Sequence, residues 1–233
     1  MEIALIIFCY NEEGAVANTI SSAKMFLERF ADRFQIILVN DGSVDNTMKI
    51  CSEFCFSDKR ISLINHERNV GIGMALKSGY EFAEMEYVCA IPGDGQFDIY
   101  ELSAIKPFTN KVFYSFYRTQ TNYSFYRKSL TRFNRLFNQH ALGIYLRDVN
   151  WIKVYRNEQL NAIKPELTSS LIESEICAKL YKSGITPIEI PSKYLNRKSG
   201  VSRGGSWFTL KKAIADIAKL WIVVIRFKPN IRF

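Results

Sequence analysis

The sequence has few of the residues that build metal centres or disulfide frameworks. Its 233 residues include five cysteines and two histidines. The cysteines show neither metal-ligand spacing nor a disulfide-framework pattern, so a zinc centre and a disulfide-stapled fold are not predicted. Buried free thiols in a reducing cytosol are expected instead. His66 and His140 have no partner pattern, and no role is assigned to them.

Long apolar runs are absent as well. The longest uncharged stretch of the last predicted helix runs from Leu220 to Ile225, whereas a membrane span needs ~20 predominantly apolar residues. The run at residues 3–8 has no basic leader and predicts a buried strand rather than a signal peptide. Low-complexity tracts and repeats are missing, and the hydrophobic fraction of 48% argues against disorder. We expect one main domain over residues 1–206 and an appended helix over residues 207–233.

Acidic residues are scarce in the second half of the chain. Residues 115–156 contain eight Lys or Arg and one acid, Asp148, and residues 193–233 contain ten Lys or Arg and one acid, Asp216. Residues 1–114, by contrast, contain ten Lys or Arg and 16 acids, so the positive net charge of +8 arises from these two segments. A basic second half of the chain predicts an anionic partner, which can be nucleic acid, a membrane surface or a phosphorylated substrate.

Two kinds of sequence pattern, apolar runs and segments with helical spacing, alternate over residues 1–110. Apolar runs occur at 3–8, 35–39, 61–64 and 87–91, and segments with helical spacing lie between them at about 14–30, 46–56 and 71–84. This alternation predicts an α/β fold with a mostly parallel central sheet flanked by helices. Later strands are expected at 112–116, 151–155 and 186–191, and later helices at 124–142, 169–182 and 207–226.

The last predicted helix has an amphipathic pattern. Trp207, Phe208, Trp221 and Phe227 lie among lysines, which suits a helix resting on an anionic membrane surface. Docking on the protein's own core or contact with a partner chain fits the same pattern, so three alternatives stay open.

Polar side chains follow three of the predicted strands. They are Tyr10, Asn11 and Glu12 after the first strand, Asp41 after the second, and Asp94 and Gln96 after the fourth. In an open α/β sheet, ligands bind at the carboxyl ends of strands where the strand order switches. A tyrosine can stack on a base, and a carboxylate beside an amide oxygen can hold Mg²⁺ or Mn²⁺ together with phosphates. The set predicts a nucleotide-diphosphate site, although each member alone also fits a solvated turn or a helix cap.

Four arginines in the basic segments are candidates for binding phosphate: Arg118, Arg127, Arg197 and Arg203. Arginine suits phosphate because its planar fork donates two parallel hydrogen bonds. Each of them alone also fits a surface charge. Residues 196–203 are more specific, because hydroxyls and a glycine interleave with the basic groups in one loop.

In their order along the chain, these motifs resemble the family-2 glycosyltransferases, and among them the polyprenyl-phosphate sugar transferases of the dolichyl-phosphate mannose synthase kind. The resemblance extends from Ile6 to about Trp207. Its motifs are Tyr10–Glu13, Val39–Thr47, Asn69–Gly71 with Ala75 and Gly79, Gly93–Gln96, Asp148 with Ile152–Arg156, Glu189–Pro191, and Arg197 with Gly200 and Ser202. It implies a GT-A fold, a nucleotide-sugar donor and a divalent cation, Mg²⁺ or Mn²⁺.

The resemblance also implies a role for each matching residue. The nucleotide-binding positions are Tyr10, Asn11, Glu12, Asp41 and Gly71. Asp94 matches the second acid of the family's Asp-x-Asp and Gln96 its glutamine, so both are expected to bind the metal. The positions near the acceptor and its phosphate are Arg118, Arg127, Thr131, Ser202 and Arg203. Asp94, Arg127 and Arg197 are the residues expected to carry catalysis.

Two positions depart from the family pattern. Pro92 stands where the first acid of Asp-x-Asp usually stands, and Asn40 stands where many members have an acid. A proline offers no side-chain ligand, although a single carboxylate can still bind Mg²⁺ through diphosphate and water.

The acceptor decides the expected mechanism. A polyprenyl phosphate is already anionic and needs no general base, whereas a sugar hydroxyl needs a carboxylate such as Asp148, Glu173 or Glu175. The basic, aromatic segments favour the lipid phosphate, with the enzyme peripheral at the cytoplasmic face of the plasma membrane.

Two other classes of protein are alternatives to this enzyme. A nucleic-acid-binding module would explain the charge but leaves Asp41 and Asp94 without a role, so no nucleic-acid partner is expected. An inactive nucleotide-sugar-binding relative would explain Pro92.

Overall fold

The computed structural model describes residues 1–119, 125–197 and 207–229. The described residues form seven strands: β1 (Glu2–Cys9), β2 (Arg33–Asn40), β3 (Ile61–Asn65), β4 (Tyr87–Pro92), β5 (Val112–Arg118), β6 (Lys153–Arg156) and β7 (Thr186–Ser192). They also form seven α-helices: α1 (Val16–Phe30), α2 (Thr47–Ser57), α3 (Ile72–Phe82), α4 (Phe125–Leu142), α5 (Asn157–Ile163), α6 (Ile172–Lys182) and α7 (Trp207–Arg226). The predicted strands and helices are all found.

All seven strands belong to one sheet with the order β3-β2-β1-β4-β6-β5-β7. Every pairing is parallel except the two made by β6, which runs antiparallel to β4 and to β5. The strand order reverses between β1 and β4, because β2 and β3 extend the sheet on one side and the later strands extend it on the other. The prediction of a mostly parallel α/β sheet is confirmed.

The sheet is buried on both faces, which explains why β1 is an unbroken apolar run instead of an alternating one. Ile3, Leu5 and Ile7 pack into the core on the side of α1, and Ala4 and Ile6 pack into the core on the opposite side. Each fully buried side chain of this size contributes about 1.5–3 kcal/mol.

Helix α3 approaches this second face closely at Gly79. A Cβ atom at that position would lie 2.6 Å from Ile6 Cγ2, so a larger residue would push the helix off the strand. The five cysteines are free thiols, and all but Cys55 are buried.

Two short elements lack a clear sequence signal. A 3-10 turn covers Ile99–Ala104, and the Asp98 side chain accepts the backbone N–H of Tyr100 at 3.1 Å. Helix α5 is only seven residues long, and its Gln159 side chain bonds to the backbone of Arg156 and Val112. Such short segments are fixed by side-chain hydrogen bonds and carry too few residues for a periodic pattern.

Helix α7 docks on the protein's own core by one face. Leu220 is fully buried, and the Lys182 ammonium donates to the Val224 carbonyl at 2.6 Å. Trp221, Ile222 and Ile225 stay about half exposed on the other face. In the part of the chain that the structure describes, no helix combines the length and the apolar character that crossing a membrane requires.

Candidate active site

The reversal of strand order brings the polar strand ends together. Phe8 of β1 lies opposite Pro92 of β4, and the Gly93 N–H donates to the Phe8 carbonyl at 2.9 Å. On the other side of β1, the Asp41 N–H donates to the Cys9 carbonyl, also at 2.9 Å. The segments that follow β1, β2 and β4 therefore emerge side by side, at the edge where open α/β sheets bind ligands.

The turn after β1 is held by the loop that follows β2. Asn11 has a φ of +55°, a left-handed conformation that asparagine tolerates better than most residues. Its side-chain oxygen accepts the Val44 N–H at 2.9 Å, and its own N–H donates to Ser43 Oγ at 2.9 Å. Next to it, the Glu12 N–H donates to Thr47 Oγ1 at 2.8 Å. The structure thus places the Asn11 side chain in the wall of the site, where it orients its neighbours.

Asp41 holds the loop that joins β3 to α3. Its carboxylate accepts the backbone N–H groups of Val70 at 3.0 Å and Gly71 at 2.8 Å, and it lies 2.9 Å from His66 Nδ1. The other ring nitrogen of His66 lies 3.0 Å from Ser78 Oγ. Asp41 therefore brings the predicted nucleotide-binding Gly71 to the sheet edge.

Gly42 allows the same loop to pack tightly against β2. It has a φ of +68°, and a Cβ atom there would lie 2.2 Å from the carbonyl carbon of Arg68. The backbone of residues 68 and 69 occupies this space, so any larger residue at position 42 would displace the loop.

A buried charge cluster joins the ends of β1 and β4. The Arg197 guanidinium contacts Glu12 Oε1, and its Nη2 lies 3.8 Å from Asp94 Oδ2. Both carboxylates are buried, with 6% of Glu12 and 8% of Asp94 exposed. Burial raises the pKa of Asp94 and lowers the pKa of Arg197 from their ordinary values. The structure brings together three residues that lie far apart in the sequence.

Gln96 ties the chain after β7 to this cluster. Its backbone carbonyl accepts the Leu195 N–H at 3.0 Å, and its side-chain Nε2 donates to the Leu195 carbonyl at 3.5 Å. Its own N–H donates to Asp94 Oδ1 at 3.0 Å. These bonds hold the segment that contains Arg197, two residues beyond Leu195, close to the carboxylates of Glu12 and Asp94.

The donor atoms of this cluster suit a hard divalent cation. Mg²⁺ and Mn²⁺ prefer carboxylate and amide oxygens, which Asp94 and Gln96 provide. Glu12 Oε2 is buried and has no hydrogen-bond partner among the described residues, so one oxygen of this carboxylate remains able to accept a bond or bind a cation. No group of three or more Asp, Glu, His or Cys residues that could hold a metal ion occurs in the described ranges, so phosphate and water would complete the shell.

A family model described as "Glycosyl transferase family 2" matches residues 4–162, which is more than half of the chain. The chain belongs to glycosyltransferase family 2. Among curated relatives, Dolichyl-phosphate beta-glucosyltransferase ALG5C of Trichomonas vaginalis is 30% identical over 106 residues, covering 43% of this chain and 32% of that protein. Dolichyl-phosphate beta-glucosyltransferase of Saccharomyces cerevisiae is 32% identical over 99 residues, covering 40% of this chain and 30% of that protein. The match thus spans about a third of the length of these relatives.

Solved structures confirm the GT-A fold of this family-2 chain. The glucosyl-3-phosphoglycerate synthase of Mycobacterium tuberculosis, in complex with Mn²⁺, UDP-glucose and phosphoglyceric acid, superposes with a TM-score of 0.68 at 15% identity, covering 94% of this chain and 79% of that one. The mannosyl-3-phosphoglycerate synthase of Rubrobacter xylanophilus gives a TM-score of 0.70 at 16% identity, covering 99% and 78%. At these identities the likeness shows that the chain shares the GT-A fold of these structures.

Arg118 is the last residue of β5 and is already paired with a carboxylate. Its Nε and Nη2 donate to the two oxygens of Asp148 at 2.6 and 2.9 Å, a bidentate arrangement. Its guanidinium also lies over the Trp151 ring at 4.8 Å and the Tyr194 ring at 5.5 Å. The structure therefore places Arg118 in a paired, stacked cluster. The side chains of Arg127 and Thr131, and residues Ser202 and Arg203, lie outside the described part of the chain.

The carboxylates of α6 are engaged in the interior. Glu173 accepts the hydroxyls of Tyr80 at 2.6 Å and Tyr155 at 2.7 Å, and it lies 3.3 Å from the Lys153 ammonium. Glu175 is fully buried, lies 2.6 Å from the Lys179 ammonium and also accepts two backbone N–H groups. Both are bound by structural partners.

His66 is the residue of this site that sequence reasoning left without a role. Its contact with Asp41 joins two strand ends that are 25 residues apart in the sequence. A lone histidine carries no spacing signal, and only the parallel pairing of β2 with β3 places it beside the carboxylate.

Proposed function

We propose that this chain is an inverting glycosyltransferase that moves a sugar from a nucleotide-diphosphate sugar to a polyprenyl phosphate. It would act as a peripheral enzyme at the cytoplasmic face of the plasma membrane. The observation that carries the proposal is the buried contact of Arg197 with Glu12 and Asp94 at the switch point of the sheet. This cluster combines acidic groups suited to a divalent cation with a guanidinium suited to a diphosphate.

The donor's nucleoside would lie against the ends of β1 and β2. Tyr10 can stack on the base, because it follows β1 directly and is only partly buried. Asp41 and Gly71 line the other side, and their hydrogen bond keeps the loop of residues 66–71 against the sheet. Asn11 supports this pocket through its bond to Val44.

The diphosphate would lie against Asp94, Gln96 and Arg197. Asp94 and Gln96 would hold Mg²⁺ or Mn²⁺, which when bound neutralises negative charge on the leaving diphosphate. Arg197 has a buried Nε without a hydrogen-bond partner among the described residues, so the guanidinium retains a donor for a phosphate oxygen. Ser202 and Arg203 follow Arg197 in the sequence and would contact the same group.

The acceptor proposed here needs no general base. A phosphate oxygen of the polyprenyl phosphate forms the new bond to C1 of the sugar, in line with the breaking bond between C1 and the diphosphate oxygen, so the configuration inverts. The protein then has to position the two reactants and stabilise charge. Three carboxylates that could serve a hydroxyl acceptor are engaged elsewhere: Asp148, Glu173 and Glu175. The dolichyl-phosphate relatives are consistent with a lipid acceptor.

An acceptor screen tests this function directly. Nucleotide diphosphate sugars of glucose, N-acetylglucosamine and mannose are offered with Mn²⁺ to a polyprenyl phosphate and, in parallel, to oligosaccharides with free hydroxyls. We expect lipid-linked sugar and release of nucleoside diphosphate. Transfer to hydroxyls alone would overturn the lipid assignment, and binding of donor with no transfer to either class would indicate an inactive relative.

Arg127 is predicted to act on the acceptor and not on the donor. Replacing it with alanine should lower transfer to a polyprenyl phosphate roughly tenfold to hundredfold, because a charge-assisted hydrogen bond contributes ~1.5–3 kcal/mol. Donor binding measured by calorimetry should stay unchanged. Arg147→Ala is the control, since Arg147 belongs to the same basic segment but pairs at the surface with Glu189. Equal losses in both variants would point to general charge effects.

The exposed faces of α4 and α7 form the surface proposed to meet the membrane. Trp221, Ile222 and Ile225 on α7 and Leu136 on α4 are all about half exposed, and the two helices contact each other. Exposed basic residues border these apolar side chains: Arg132, Arg135, Lys219, Arg226 and Lys228. Aromatic and aliphatic side chains flanked by cations suit the interface of an anionic membrane.

Replacing Trp221 with glutamate should weaken binding to vesicles that contain anionic lipid by about tenfold or more, because an interfacial aromatic side chain is lost and a like charge is added. Phe56→Glu is the matched control, because Phe56 is 96% exposed on α2, which packs on the opposite face of the sheet. Co-sedimentation measures both variants. Equal binding of the two would show that α7 does not touch the lipid.

A further inference from the structure

Position 92 leaves the cation site one carboxylate short. Pro92 is the last residue of β4 and pairs with Phe8 inside the sheet, and its ring carries no oxygen or nitrogen that can bind a metal. Asp94 is then the one carboxylate that the end of β4 supplies. A single carboxylate neutralises half the charge of a divalent cation, so a second anionic oxygen from another element would complete the balance.

Glu12 supplies a carboxylate at the right place, from the neighbouring strand. It follows β1 by three residues and Asp94 follows β4 by two, and these two strands are paired. Only 6% of Glu12 is exposed, yet its Oε2 has no hydrogen-bond partner among the described residues. A buried carboxylate oxygen left in this state costs free energy, so its presence indicates a group that binds there.

The Arg197 guanidinium lies between the carboxylates of Glu12 and Asp94. The same atom, Nη2, contacts Glu12 Oε1 and lies 3.8 Å from Asp94 Oδ2. One positive charge thus stands between two negative ones, and a net charge of −1 remains. A divalent cation between the same two carboxylates would balance their charge, and it would release Arg197 to a diphosphate.

We propose that Glu12 is a direct ligand of the divalent cation, acting with Asp94 in place of the acid that Pro92 cannot supply. The inference rests on the metal-dependent function proposed above. It differs from the nucleotide-binding role that the family resemblance implies for Glu12. Until the cation and the donor bind, Arg197 occupies the position between the two carboxylates.

Titration with Mn²⁺, followed by the electron paramagnetic resonance signal of the free ion, tests this assignment without any turnover. Glu12→Gln keeps the shape of the side chain and should weaken Mn²⁺ binding in the presence of UDP or GDP by roughly tenfold or more. Glu13→Gln is the control, because the Glu13 carboxylate bonds instead to Asn46 at the protein surface. Circular dichroism and Tm establish that each variant is folded.

Two further variants keep the test decisive. Adding Pro92→Asp to Glu12→Gln should restore Mn²⁺ affinity, since a carboxylate returns to the site from β4. Arg197→Gln should tighten Mn²⁺ binding without nucleotide, because a competing cation is removed. Failure of either result would contradict the assignment.

The remaining outcomes separate this inference from the proposed function. If Glu12→Gln weakens metal-free binding of UDP or GDP and leaves the Mn²⁺ affinity unchanged, Glu12 contacts the nucleoside and the inference is overturned while the function stands. If the wild-type protein binds no Mn²⁺ with either nucleotide, the metal-dependent part of the proposed function fails, and the inference fails with it.

Discussion

Replacing Asp94 with alanine is expected to abolish sugar transfer while the protein stays folded. Asp94 follows the switch-point strand β4, lies 3.8 Å from Arg197 Nη2, and is the carboxylate proposed to hold the cation at the diphosphate. Loss of one preorganised electrostatic group typically lowers kcat by roughly 10²–10³-fold. Loss of the cation as well should bring the rate to background. Chelation with EDTA should inhibit the wild-type enzyme for the same reason.

The fold should survive because the Asp94 charge does not stabilise it at neutral pH. Burial raises the pKa of Asp94, so the folded state binds that proton more tightly than the unfolded state does. Its favourable contribution is present at acidic pH and is lost as the pH rises through the folded-state pKa. At pH 7 the alanine variant should therefore unfold at the same temperature as wild type or slightly higher.

Asp98→Ala is the control for this experiment. Asp98 lies four residues further along and caps the 3-10 turn by accepting the Tyr100 N–H. Its loss should cost about 1 kcal/mol of stability and leave transfer unchanged. An Asp94→Ala enzyme that retains a substantial fraction of wild-type activity, or that unfolds, would contradict the site. Activity that resists EDTA would point to a mechanism built on Arg197 and Arg203.

The fold was predictable because each strand carries its own signal. The runs of β1, β2 and β4 are buried on both faces, so their sequences are continuous apolar segments between amphipathic helices. The antiparallel direction of β6 was not predictable. It depends on pairing of only three residues with β4 and two with β5, which no local pattern records.

The meeting of the polar strand ends at one edge was predictable, but the partners of their side chains were not. Residues at strand ends must meet at one edge of a parallel sheet, so Glu12, Asp41 and Asp94 were found from their places in the chain. Which groups they bond depends on loops whose paths the sequence does not specify. Asp41 bonds to two backbone N–H groups and to His66, and the residues around Asp41 in the sequence do not predict these partners.

The partners of charged residues in the basic second half of the chain were also not predictable from the sequence. Arg118 was predicted from its basic segment to bind phosphate, and the family resemblance implied a position near the acceptor phosphate. The structure pairs it with Asp148, 30 residues away. The two hypothetical bases Glu173 and Glu175 are two residues apart on one helix, yet each is buried with its own lysine. Composition reveals a basic surface, whereas three-dimensional pairing decides which charges remain for a ligand.

Replacing Glu173 with glutamine is expected to destabilise the protein by about 3–5 kcal/mol, because it leaves a buried ammonium without its counter-ion. The Lys153 side chain is 1% exposed and retains only carbonyl contacts, to Val149 and Trp151. Burial and the Glu173 charge raise the pKa of Tyr80, so its hydroxyl stays protonated and donates to the carboxylate. The amide of the variant offers these donors one acceptor where the carboxylate offers two.

Urea unfolding compares this variant with Glu166→Gln, which alters the exposed partner of the other buried lysine, Lys179, and should cost ~1 kcal/mol or less. Lys179 keeps Glu175 in that control. Joint replacement of Lys153 by methionine and Glu173 by glutamine should recover part of the lost stability, because the buried ammonium without a counter-ion is removed while the amide oxygen still accepts a tyrosine hydroxyl. A Glu173→Gln protein with wild-type stability that has lost transfer to a sugar hydroxyl would instead make Glu173 a general base, and the acceptor would then be a hydroxyl and not a lipid phosphate.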